Sequence, residues 1–135
     1  MRQHGGFTTH APELHNNEEL HDFLLTQLGA RDNEVFALML LDVRHRLIEY
    51  VELFHGSVDS GPVYPREVVK WVINTRAFAV MCAHNHPSGD PTPSRADIDM
   101  TREIVTAAKA MGLMVHDHLV IGKGKHASFK SLGIL

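Results

Sequence analysis

The sequence predicts an α/β protein of the α+β kind, a mixed β-sheet flanked by helices, and three observations carry that reading. Near-continuous apolar runs at 34–42, 78–83 and 113–122 have the character of strands covered on both faces. Around them, at 16–28, 65–76 and 94–111, apolar residues recur at helical spacing. A helix lying between two strands implies a crossover, so the sheet is not a simple meander. A length of 135 residues with 44% hydrophobic residues suits one domain with a real core.

Residues 1–15 contain Gly5, Gly6 and Pro12 and little apolar periodicity, and are expected to form a flexible lead-in to a domain spanning 16–135. Asn16 or Asn17 can cap a first helix, with Glu18 and Glu19 in its first turn, Leu20, Phe23, Leu24 and Leu28 as its apolar stripe and Gly29 at its end. "EVFALMLLD" (34–42) reads as a central strand, and "RLIEYVELF" (46–54) as its hairpin partner after a turn at Asp42 to His45. Gly56, Gly61 and Pro62 break the pattern. Pro65 then suits a first helical turn, with Val68, Val69, Val72 and Ile73 following at helical spacing to about residue 76. "FAVMCA" (78–83) is a further strand. Ser94 opens a long helix that turns Ile98, Ile104, Val105, Ala108 and Met111 inward and stops at Gly112. "LMVHDHLVIG" (113–122) is again a strand, and "ASF" (127–129) can pair with it across the glycine turn at 122–124.

Composition narrows the function. A net charge of -3 and a pI near 6.4 give no general attraction to phosphate backbones. The lysine-rich stretch from Lys123 to Lys130 is short and reads as a solvated turn. The single cysteine, Cys82, has no internal disulfide partner, and neither a secretory leader nor a run of membrane-spanning length is visible, so a cytoplasmic protein without membrane contact is expected. Of the 11 histidines, His4, His10, His15 and His21 share no spacing and are expected at the surface.

The chemistry concentrates in "AHNHPSGDPTPSRAD" (83–97), which follows an apolar strand directly. Residues two apart on a strand point the same way, so His84 and His86 present two imidazoles to one side. Zinc in a hydrolytic site takes three nitrogen or oxygen ligands and leaves a fourth position open, and Asp97 at the start of a helix would complete such a set. Pro87, Gly89, Pro91 and Pro93 shape the loop that brings Asp97 back. A plainer alternative stands beside this one. Ser94-Arg-Ala-Asp97 has the form of a capping box, whose members need only start the helix. A cap requires no histidines, however, and exposed histidines require no proline-rich return.

His84-Asn-His86, seven residues, then Ser94-Arg-Ala-Asp97 resembles the JAMM signature of the JAB/MPN metalloprotease fold, a sandwich similar to that of cytidine deaminases. The longer string "HNHPSGDPTPSRADI" resembles the RadC branch of that fold, as do "LFHGS" (53–57), "VYPREVV" (63–69), "DHLVIG" (117–122) and the closing "SF" (128–129), over residues 31–135 in all. The resemblance implies Zn2+ held by His84, His86 and Asp97, a role for Ser94 in holding a tetrahedral intermediate, and an upstream glutamate acting as general base. Glu34, which opens the first apolar strand, is the expected base, with Glu52 as the other candidate. It also implies hydrolysis of a peptide or isopeptide bond by a metal-activated water, with a peptide or protein as the substrate. Longer members carry an N-terminal helix-hairpin-helix region, for which the stretch before Glu34 is too short, so a short stand-alone form is expected.

Other readings remain beside it. His116 and His118 also sit two apart on a strand, without a nearby carboxylate to complete a second site, and the resemblance at "DHLVIG" implies a structural or supporting role. Cys82 is a conceivable thiolate ligand or a small buried hydrophobe. The letters "HNH" do not make an HNH nuclease, whose residues spread over a longer hairpin and helix. The alternative function is a DNA repair or recombination protein of RadC type whose metal is structural or supports nuclease chemistry; nucleic acid as a partner is possible but unsupported by the charge. A dimer is possible.

Overall fold

The computed structural model describes residues 7–9, 17–55 and 65–135. The elements in chain order are β1 (Phe7–Thr9), α1 (Asn17–Leu28), β2 (Val35–Leu41), β3 (Leu47–His55), α2 (Pro65–Thr75), β4 (Ala79–Asn85), α3 (Arg95–Ala110), β5 (Met114–Ile121), β6 (His126–Ser128) and α4 (Phe129–Leu132). They build a mixed sheet in the order β1-β3-β2-β4-β5-β6, in which only β4 and β5 run parallel. The other neighbouring pairs are antiparallel.

Alternation along the central strands sorts side chains into two layers. Every residue of β2 and of β4 is buried, which accounts for the unbroken apolar runs. On one face Val35, Ala37, Met39, Met81, Ala83, Leu119 and Ile121 pack against Leu20, Leu24 and Leu28 of α1. On the other, Phe36, Leu38, Leu40, Val80 and Cys82 meet Val68, Trp71 and Val72 of α2 and Met100 and Ile104 of α3. The three α1 leucines are fully buried, each contributing roughly 1.5–3 kcal/mol by removal from water. The fold is therefore α+β, with a sheet covered by helices on both sides. Among the described residues, no helix is long and apolar enough to cross a membrane.

The structure corrects the sequence reading in several places. Within the expected flexible lead-in, Phe7–Thr9 adds an edge strand, pairing Phe7 with Glu52 and Thr9 with Tyr50. Phe-Thr-Thr suits a pleated surface, and β3 had an unpaired edge to offer. The rest of 1–15, the Asn16 cap and the break at 56–62 lie outside the described residues. β4 runs two residues past Ala83, to Asn85, so His84 is part of the strand. A register shift opposite Val80 and Met81 leaves His116 as an extra residue on β5, so His116 and His118 are not an equivalent pair: Val80 faces Val115 while Met81 faces Asp117. The short α4 was not foreseen; Ser128 caps it, accepting from Ser131 N.

Candidate metal centre

β4 carries His84 into the layer between the sheet and α3, and His86 follows where the strand ends. From the first turn of α3, Asp97 meets both. Its Oδ1 lies 3.0 Å from His84 Nε2 and its Oδ2 lies 3.1 Å from His86 Nε2. The two Nε2 atoms are themselves 3.1 Å apart. The His84 side chain has no exposure and that of Asp97 has 2%, whereas that of His86 keeps 15%, so the site opens to solvent on the His86 side.

The loop between the ligands is fixed by β5. His86 N donates to Ile121 O at 2.9 Å, Gly89 N to His86 O at 2.9 Å and Lys123 N to Gly89 O at 3.2 Å. The chains cross so closely that a Cβ on Gly122 would lie 2.3 Å from Gly89 O, and Gly89 has φ +96. Asp90 then turns the chain, accepting from Thr92 N at 3.0 Å and Thr92 Oγ1 at 2.7 Å. The loop returns to Ser94, where both halves of the capping box are present: Ser94 N donates to Asp97 Oδ2 at 2.8 Å and Asp97 N to Ser94 Oγ at 3.1 Å. The capping box is present, and because the same carboxylate also faces both histidines, the cap leaves Asp97 available to a metal.

Proton bookkeeping shows that this cluster suits a cation. His86 Nδ1 lies 3.0 Å from Asp90 O, and a carbonyl only accepts, so Nδ1 carries the proton and Nε2 is a bare lone pair in the neutral ring. That lone pair faces a carboxylate and the Nε2 of His84. Such a cluster is repulsive unless a proton or a metal ion sits among the atoms. Burial on its own would raise the Asp97 carboxyl, but the His84 and His86 imidazoles, which donate to it in any form that carries a proton on Nε2, hold it far below the usual carboxylate range. The hydrogen bond to Asp97 raises His86 above 6.5, against the effect of burial. Two imidazoles and one carboxylate on donor atoms within 4.8 Å of one another form a donor set that zinc accepts.

Of the other residues singled out in the sequence, Glu34 and Ser94 lie beside this set, whereas Glu52, Cys82 and His116 do not join it. Glu34 immediately precedes β2, where Phe36 pairs with His84, so continuing the register brings Glu34 opposite His86; its charge helps to raise the His86 pKa. Glu52 lies on the α1 face, 2.6 Å from Arg31 Nη2 and accepting from Tyr50 Oη at 2.9 Å. Ser94 is exposed at the mouth of α3. Cys82 is buried away from the ligand set, with its thiol pushed up to about 12 by burial and then by the charge of Asp117. His116 packs against His45, with ring centroids 4.6 Å apart.

Sequence reasoning missed two contributors. Asn85, the residue between the histidines, points to the other side; its Oδ1 accepts from Val35 N at 2.7 Å and its Nδ2 donates to Asn33 O at 3.0 Å, clamping the backbone on either side of Glu34. Thr101 contacts His118 deep beneath the ligands, and its only sequence signal was a polar residue on the inward stripe of α3.

A helix-covered mixed sheet that converges two strand-end histidines and a helix-start aspartate defines a JAB-type domain with a candidate metal centre. The chain belongs to the RadC-like JAB domain family, whose model matches residues 14–134. It is similar to the UPF0758 protein of Rhodobacter capsulatus, with 50% identity over 124 residues, 92% of this chain. It spans 58% of that protein's length.

Proposed function

We propose that the domain is a zinc-dependent amide hydrolase of JAMM type, cleaving a peptide or isopeptide bond in a protein substrate. The observation that carries this reading is the convergence of His84 Nε2, His86 Nε2 and the Asp97 carboxylate, with solvent access left beside His86. Zinc bound there would supply Lewis acidity toward a scissile carbonyl and toward water. The chain's own groups would do the rest. Glu34, outside the donor set and opposite His86, is suited to take the proton of the attacking water and to deliver it to the leaving amine. The Ser94 hydroxyl, at the positive end of α3, is suited to donate to the oxygen that gains charge. The Asp97 carboxylate, tied to Ser94 N, and the enclosed His84 ring would keep the donor set in place during that exchange.

Elemental analysis of the purified chain tests the reading at its base. One zinc per chain in the wild type and a large loss in His86→Ala are expected; metal content unchanged by that substitution would overturn the assignment. A panel of peptide and isopeptide substrates then tests the chemistry, with Glu34→Gln keeping zinc and losing cleavage.

A further inference from the structure

His118 and Thr101 lie outside the donor set, yet they are among the most enclosed polar groups beneath it, at 0% and 1% exposure. Thr101 stands one helical turn after Asp97, and its Oγ1 lies 2.7 Å from the Asp97 carbonyl oxygen. A carbonyl only accepts, so the single hydroxyl proton is committed there. The other neighbour of that oxygen, His118 Nδ1 at 2.5 Å, must therefore donate. A fully buried imidazole is neutral and carries one N–H, which leaves His118 Nε2 as a bare lone pair. That lone pair stands 2.8 Å from His84 Nδ1, which must in turn carry a proton. In the neutral ring of His84 the remaining lone pair is on Nε2, the atom that faces Asp97 Oδ1 and His86.

The geometry points to His118 and Thr101 as positioning residues that fix the Nδ1–H form of His84 and so decide which of its nitrogens is offered to the metal. Packing holds the relay in register. Phe129 stacks on the His118 ring at 4.5 Å, and Phe36 meets it edge-on at 5.8 Å, so the ring has no room to turn over. The relay also ties β4, β5 and α3 together, because it runs from His84 through His118 and Thr101 to the backbone of Asp97. Without the Thr101 hydroxyl, His118 has no acceptor for its Nδ1 proton; the proton moves to Nε2, His84 Nδ1 becomes the acceptor, and the proton on His84 occupies the donor position. The inference rests on the metal-site reading above but concerns a separate property, observable without metal.

Imidazole 15N shifts of the labelled, metal-free chain provide the first test. His118 is expected to be protonated at Nδ1 in the wild type and in Thr101→Ser, and at Nε2 in Thr101→Val. The second test is zinc affinity by competition with a chromophoric chelator. Loss of this kind of supporting contact typically weakens metal binding about 10- to 100-fold, which is expected of Thr101→Val, with Thr101→Ser staying close to wild type. A wild-type His118 protonated at Nε2, or a Thr101→Val chain that binds zinc as tightly as wild type, would overturn the inference. Should the wild type take up no zinc at all, the proposed function falls, and the His118 tautomer still decides this inference by itself.

Discussion

At the scale of single residues, Asp97 serves twice, as N3 of a capping box and as partner of both histidines. The Ser94 contribution to that cap gives a separable prediction. Ser94→Ala should lower stability by about 1 kcal/mol, the usual cost of losing a cap, and should reduce turnover far more than a change of that size explains. Thermal melts beside rate measurements decide it, and a fall in stability with unchanged turnover would leave the serine as a cap only. The two glutamates separate in the same way. Glu52→Gln removes the charge that Arg31 and Tyr50 address, and because Arg31 is about one third exposed the cost should be about 1–2 kcal/mol. Its zinc affinity should not change. The pH dependence follows from His86, whose pKa is raised above 6.5 by Asp97. A raised pKa means that a proton competes with metal over a wider range, so apparent zinc affinity should rise with pH and level off only above that raised value. Chelator competition across neutral pH tests this, and an affinity that is flat with pH would contradict it. The candidate triad His84, His86 and Asp97 was legible in the sequence because its spacing is local. His118 was legible only as one of a spaced pair, since its partners His84 and Thr101 come from other elements.

At the scale of elements, β2 and β4 were readable because full burial on both faces leaves an unbroken apolar run. The β5 register was not, because a one-residue bulge leaves no mark on composition and yet sends His116 and His118 to different neighbours. β1 escaped for a related reason, since a three-residue edge strand takes its stability from the strand it joins. The close crossing of the ligand loop over the end of β5 supplies the prediction at this scale. Gly122→Ala would place a methyl group 2.3 Å from Gly89 O, and backbone is what must move. A cost of about 1–3 kcal/mol is expected from the overpacking, with weakened zinc binding because His86 is tied to the same strand through Ile121 O. Denaturant melts and zinc titration together test it; a variant with wild-type behaviour in both would show that the crossing is loose.

At the scale of the whole molecule, β4, the first turn of α3 and β5 meet at the candidate site, so a ligand bound there reports on the fold. Zinc at about 100 times its Kd should stabilise the domain by about 2.7 kcal/mol, raising Tm by several degrees, and a chelator should reverse the shift. No shift on adding zinc would mean that the metal does not distinguish folded from unfolded chain. The acidic balance, a net charge of -3, also makes weak DNA binding the expected outcome at about 150 mM salt, where non-specific Kd values are typically about 10⁻⁴ to 10⁻⁶ M. Nanomolar binding at that salt would instead favour the repair reading. The shared carboxylate of Asp97 has a consequence for motion. Because the oxygen that receives Ser94 N also faces His86, fraying of the first turn of α3 and loss of a metal held at the proposed site would be one event rather than two. The amide protons of that turn should therefore exchange with deuterium at a rate set by zinc occupancy, while those in the centre of β2 ignore it, which makes a helix end the natural gauge of whether the site is loaded.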